Sequence, residues 1–395
     1  MAAATDTRAS FRRDASRHSI LAGIVCALVG YTGASAVVLA GLRGVGATPA
    51  EAASGLLAVS VTSGIGTILL ASRHRNPVLL AWSTPGAALL ASTGAVHGGW
   101  PAAVAAFLIT GALILLTGLW PRLGALISSI PTPIAQAMLA GIVLELCLTP
   151  VKGFAAHPWQ VAPIVLVWLC LRRLAPKWAA PGAFAASLVV IGIVAAGRAG
   201  GVHGGVLPQV ALVAPHFTSA ALLSLAFPLY IVTMAGQNVP GTAVLASYGY
   251  TVPWTEAMAT TGVGSMVGSL AGGHAINLAA ISASLVAAPD ADPDPETRWT
   301  AAVAAGWLFL LFGLLSAALA TLISVASPDV FGSVAGLALL GTLVSSLAGA
   351  LAAAPDREAA AITFVVAASS VTFLGVGSAF WALFAGLAVR AVTRR

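Results

Sequence analysis

Apolar runs of about twenty residues, separated by short stretches of Gly, Pro or charge, recur from Ile20 almost to the C-terminus. Each is long enough to cross a hydrocarbon layer of about 30 Å as a helix. Charged residues make up 8% of the 395-residue chain and hydrophobic ones 59%, whereas a soluble domain carries about 25% charged residues. A chain this apolar cannot cover its surface with polar groups, so its solvent is lipid. The sequence therefore predicts an all-α membrane protein.

Punctuation between the runs predicts fourteen spans, near 18–42, 52–72, 78–93, 100–119, 132–150, 158–174, 179–198, 218–246, 255–271, 273–288, 298–325, 328–352, 358–375 and 377–393. Charge tests the count independently. With a cytoplasmic N-terminus, Arg8, Arg12, Arg13, Arg17, Arg73, Arg75, Arg122, Arg172, Arg173, Lys177, Arg298, Arg357, Arg390, Arg394 and Arg395 fall inside, and Arg43, Lys152 and Arg198 outside. Fifteen against three is the bias of the positive-inside rule, and it places both termini in the cytoplasm. The net charge of +6 thus belongs to loops at a membrane surface, and nucleic acid is excluded as a partner. The tail 1–17 is polar and no cleavage pattern follows a short apolar region, so the first helix is expected to remain as an anchor. Cys26, Cys147 and Cys170 lie in apolar runs without metal or redox spacing.

An external linker at 199–217 divides the chain into seven-span repeats, 18–198 and 218–395. An odd number of spans per half makes the second half enter the membrane from the opposite side, the geometry of an inverted repeat. The third and tenth spans, in corresponding positions, are both broken by polar, Gly or Pro residues, which is a pointer to a transporter binding site.

In the third span, 78–82 is compatible with extended backbone, Ser83 or Thr84 can cap a helix, and Pro85 and Gly86 suit its first turn. A Pro-kinked packing helix is the bland alternative. In the tenth, Gly272 and Gly273 permit a bent entry and Asn277 can cap a helix starting at Leu278. Two such half-helices facing each other from inverted repeats bring their positive ends to one volume that suits a carboxylate. The first span of each half carries a polar island: Tyr31 and Thr32 in one, Gln237 and Asn238 in the other. These side chains either line the site or pin helices together. For proton coupling, eleven of the twelve acidic residues map to termini or loops, leaving Glu145 within a span. His274, in the broken tenth span, titrates in the useful range and is the other candidate, either as proton site or as substrate contact. No P-loop, dinucleotide fingerprint or Cys/His metal spacing is present, so neither a cofactor nor a metal is expected, and the chain carries no reactive dyad for an enzyme.

The runs at 30–32, 81–89, 231–241, 272–281, 292–299 and 300–306 resemble, in order, the benzoate/proton symporter family BenE, from about residue 12 to the C-terminus. The resemblance implies a fold related to nucleobase transporters and anion exchangers. Spans 1–4 and 8–11 would form a core that carries substrate, and spans 5–7 and 12–14 a gate open to homodimerisation. Substrate would sit between spans 3 and 10, helped by spans 1 and 8. Nucleobase transporters place carboxylates in spans 8 and 10. Here Gln237, Asn238, His274 and Asn277 stand there instead, which fits an anionic substrate. The function implied is proton-coupled uptake of benzoate or a similar aromatic carboxylate across a bacterial inner membrane. A carrier for another small organic anion, or an anion channel, is the alternative.

Overall fold

The computed structural model describes residues 11–196, 207–280, 282–325, 327–374 and 376–393. Arg8, Arg198, Arg394, Arg395 and the first part of the linker, 199–206, lie outside the described residues. The chain is helical nearly throughout. Its first half contains α1 (Arg17–Gly44), α2 (Pro49–His74), β1 (Leu80–Trp82), α3 (Thr84–Thr93), α4 (Gly99–Leu119), α5 (Pro121–Ser128), α6 (Thr132–Ala156), α7 (Pro158–Leu174) and α8 (Ala179–Ala196). The second contains α9 (Ser219–Ser247) and α10 (Trp254–Ser269), followed by β2 (Ile276–Leu278), α11 (Ala283–Ala287) and α12 (Trp299–Gly313). It ends with α13 (Ser316–Val325), α14 (Pro328–Leu351), α15 (Arg357–Ala368) and α16 (Ser378–Thr393).

Every expected segment holds a helix. Among the described residues, seven helices are long and apolar enough to cross a membrane, or eight with the bent pair α12–α13 counted as one. That pair corrects the expectation of one unbroken eleventh span at 298–325. The axis turns by 53° between Gly313 and Ser316, where Leu314 and Leu315 donate to Leu311 and Phe312, three residues back. A glycine of low helix propensity marks the break.

The helix α9 contains two π-helical turns, Leu222–Ala226 and Met234–Asn238. Each ends two residues before a proline, Pro228 or Pro240. Proline has no N–H to offer the carbonyl four residues earlier. The chain widens, and the N–H groups of Phe227 and Val239 reach back five residues to Leu222 and Met234.

Helices α1, α2, α3, α4, α9, α10 and α12 pack chiefly on one another, and α6, α7, α8, α14, α15 and α16 form a second group. Across the boundary α3 meets α6 and α1 meets α14. Close approach relies on missing side chains. A Cβ on Gly262 would lie 2.5 Å from the backbone nitrogen of Leu115, and one on Gly111 would lie 2.8 Å from that of Met266, so α4 and α10 touch along their backbones. The extended segment 207–217 crosses the ends of the first group. Its Ala211 N–H donates to Ser54 Oγ (2.9 Å) and its Val213 N–H to the Leu270 carbonyl (2.9 Å).

At the opposite face, Ser16 caps α1 by accepting the N–H of Ser19 (3.0 Å), and its hydroxyl donates to the Asp292 carboxylate. Arg298 donates to the carbonyls of Asp292 (2.7 Å) and Ala287 (3.1 Å), closing the loop 288–298. Burial pushes the Asp292 carboxyl upward. Hydrogen bonds from Ser16, the Asp294 N–H and Thr297, with His18 nearby, outweigh this and hold it below the usual range. A lowered native value means that the ionised latch contributes fully above the unfolded carboxyl's titration and is lost as pH falls through the native one. Acidification in detergent from neutral to about pH 3 should lower the unfolding midpoint of the wild type more steeply than that of Asp292→Asn.

Candidate functional site

The two broken spans meet. Strands β1 and β2 pair antiparallel, with Leu80 opposite Leu278, Ala81 opposite Asn277 and Trp82 opposite Ile276. The ladder continues one step at each end, through the Ser83 N–H to the Ala275 carbonyl (2.9 Å) and the Ala279 N–H to the Leu79 carbonyl (2.9 Å). Residues 78–80 and 274–278 are fully buried, at 0% exposure. Pairing with β2 holds 80–82 extended, and Pro85, which suits the first turn of a helix, stands at the start of α3.

Ser83, rather than Thr84, caps α3, its Oγ accepting the Gly86 N–H at 3.1 Å. Pro85 has no N–H, and the Ala87 N–H reaches the Ser83 carbonyl at 2.8 Å. Most of the first turn is therefore satisfied from within. What this end offers an anion is its dipole and the hydroxyl-bearing Ser83–Thr84 corner, rather than a row of open N–H groups. Gly86 packs closely under α9 and its own cap, since a Cβ there would stand 2.5 Å from Leu229 Cδ1 and 2.7 Å from Ser83 Oγ.

The tenth span departs from expectation. Asn277 caps no helix. It lies within β2, donates to the Leu278 carbonyl at 2.7 Å, and its Oδ1 has no hydrogen-bond partner among the described residues. Pairing with β1 holds 276–278 extended, so the helix begins only at Ala283 and is five residues long.

The candidates from α9 converge on β2. Asn238 Oδ1 accepts the Leu278 N–H at 2.8 Å, and Gln237 Oε1 accepts the Ala280 N–H at 3.3 Å. Both amides lie in the π-helical turn and hold backbone that the break leaves unpaired. Thr233, which sequence reasoning passed over, donates to Ser83 Oγ at 2.9 Å. It ties α9 to the cap of α3, and its signal was only a hydroxyl one turn before the amides. His274 is fully buried, with Nε2 3.1 Å from the Ser83 carbonyl and its ring edge-on to Phe107. The cluster thus unites Ser83, Thr84, Pro85, Gly86, Gln237, Asn238, His274 and Asn277.

Tyr31 packs on Trp82 and Phe312 at ring separations of 5.8 and 5.2 Å, beside the strand pair. Thr32 donates to the Leu28 carbonyl of its own helix at 2.6 Å. Glu145 stands apart from the cluster. It is exposed on α6 and accepts from Ser370 at 3.2 Å, in the loop before α16. Among the described residues, no group of three or more metal-ligating side chains is present.

Two broken spans cross in the buried interior of an apolar helical body, and solved structures share this fold. The transmembrane domain of a cyanobacterium bicarbonate transporter, BicA, superposes with a TM-score of 0.63 at 14% identity, covering 94% of this chain and 97% of that one. Murine Slc26a9, an anion transporter in the inward-facing state, gives 0.61 at 14% identity, covering 95% and 67%.

Residues 13–392 match the family BenE, benzoate membrane transport protein, and the chain belongs to that family. It is 37% identical over 371 residues to the inner membrane protein YdcO of Escherichia coli K12, covering 93% of this chain and 94% of that protein. It is 30% identical over 387 residues to the benzoate membrane transport protein of Acinetobacter baylyi, covering 96% and 95%.

Because Asn238 supplies the acceptor for a buried N–H, Asn238→Ala should cost about 1–3 kcal/mol of stability. Gln237→Ala, whose bond is longer and whose side chain is partly exposed, should cost less. Thermal unfolding of the purified variants in one detergent measures both.

Proposed function

We propose that this chain is a secondary active transporter that takes up benzoate, or a similar aromatic carboxylate, with a proton by alternating access. Fourteen spans in a seven-plus-seven inverted repeat would lie in a bacterial inner membrane with both termini cytoplasmic. The observation that carries the reading is the buried crossing of β1 and β2, which sets the capped start of α3 beside His274 and the amides of α9. Family membership and the name of the Acinetobacter relative point to benzoate.

In this reading the carboxylate is held at the Ser83–Thr84 corner by the positive end of α3, and the ring rests on apolar side chains. Asn277 and Gln237 supply polar contacts, with Tyr31 and Thr32 at the margin. The first helix group is the core that moves with substrate and the second is the gate, which also offers the homodimer contact. His274, a buried imidazole against the Ser83 carbonyl, is the proton site favoured over Glu145, which lies outside the cluster. Moving a proton with the anion cancels the charge that the core has to carry through lipid.

The fold neighbours, a bicarbonate transporter and an anion transporter, favour a second reading in which another small anion is the cargo. Competition by unlabelled anions against benzoate separates the two.

Proteoliposomes with an acidic exterior should accumulate labelled benzoate, and a protonophore should abolish the accumulation. His274→Gln should keep benzoate exchange at zero gradient while gradient-driven accumulation falls to the level of empty liposomes. Absence of uptake by the wild type under every gradient contradicts the assignment.

A further inference from the structure

In an antiparallel pair, alternate N–H groups point away from the partner strand. For β1 and β2 the outward residues include Leu80, Ile276 and Leu278. Water is excluded, so each outward N–H needs a side-chain partner. Asn238 serves Leu278. The other two are served by hydroxyls outside the candidate set.

Thr67 Oγ1, on α2, accepts the Leu80 N–H at 2.9 Å, and Ser265 Oγ, on α10, accepts the Ile276 N–H at 2.9 Å. Thr67 is 0% exposed and Ser265 1%. The two devices match in placement, although Thr67 also donates to the Leu80 carbonyl at 3.3 Å while Ser265 donates to the Thr261 carbonyl of its own helix. Leu80 and Ile276 are each the first residue of their strand. Each hydroxyl follows a glycine, Gly66 or Gly264, on which a Cβ would strike the side chain of the pinned residue. The distances are 2.6 Å to Leu80 Cδ1 and 2.7 Å to Ile276 Cδ1. The glycine thus lets the strand residue press against the helix, and the hydroxyl after it holds the same residue's backbone. Leu80 lies opposite Leu278, and Ile276 opposite Trp82. The two contacts therefore stand on opposite edges and at opposite ends of the ladder.

We infer that Thr67 and Ser265 are a matched pair of positioning residues that fix the register and crossing of β1 and β2, and through them the geometry of the substrate site. Diagonal pins resist both sliding and rotation of a two-stranded ladder, which a pin at one end does not. The Thr67 contact lies three residues before Ser83, and the Ser265 contact two residues after His274. Loss of either hydroxyl leaves a buried N–H unpaired and frees the strand that carries one wall of the site. The kinetic part of this inference rests on the transport reading above; the pinning itself does not.

The test compares Thr67→Val and Ser265→Ala with Thr67→Ser and Ser265→Thr, which keep a hydroxyl, each purified and reconstituted. Amide hydrogen exchange is followed over peptides spanning 78–82 and 274–278, and benzoate uptake is resolved into KM and kcat. Thr67→Val should accelerate exchange in the first peptide and Ser265→Ala in the second. Each should raise KM about tenfold, the order of effect of one lost buried hydrogen bond, with kcat little changed, and the hydroxyl-bearing variants should restore both readouts.

Unchanged exchange in both hydroxyl-free variants overturns the pins. Accelerated exchange with wild-type KM overturns their positioning role. A wild type that carries no benzoate defeats the transport reading instead, and the exchange measurement still decides whether the hydroxyls pin the strands.

Discussion

Backbone hydrogen bonding without water governs this structure. A helix satisfies itself, but two spans of this chain stop being helical at their buried centres, and each break strands N–H and C=O groups where lipid offers nothing. The pairing of β1 with β2 meets half of that demand. Thr67, Ser265, Asn238 and Gln237 meet further parts of it from α2, α10 and α9. The neighbouring helices are thereby committed to particular positions. Glycines at 66 and 264 clear space for the strand side chains, and the π-helical turn before Pro240 presents two amides to one strand.

The broken spans were legible in the sequence because their signals are local. Ser83–Thr84 followed by Pro85 marks a helix start in mid-span, and Gly272–Gly273 marks the second break. The strand pairing was not legible, since register depends on two segments nearly two hundred residues apart. Asn277 shows the consequence: a good cap by residue type, it is held in a strand by a partner that sequence alone did not reveal. Thr67, Thr233 and Ser265 were hidden for another reason. Hydroxyls on membrane helices commonly bond back to their own helix, as Ser60 and Thr62 do here. Ser265 does so as well, donating to the Thr261 carbonyl while accepting from Ile276. Along the chain only the preceding Gly264 marks it, and a glycine beside a serine is common in such helices.

The cluster contains no carboxylate and no lysine or arginine. In the proposed reading an anion there would be met by the positive end of α3, hydroxyls, amides and one imidazole, which would suit a carrier that must release what it binds. A fixed cation would hold a carboxylate tightly in so dry a place and would itself be costly to bury. Glu145, the acid conspicuous in the sequence, belongs instead to a contact between α6 and the loop before α16, within the second helix group.

The central claim is that the crossing of β1 and β2 forms the substrate site. A structure of the protein in lipid nanodiscs with saturating benzoate tests it most directly. The account predicts density for the ligand at the start of α3, with its carboxylate within hydrogen-bonding distance of the Ser83–Thr84 corner and β1 still paired to β2. Benzoate bound away from the crossing, or residues 78–92 and 273–287 resolved as two continuous, unpaired helices, would contradict it.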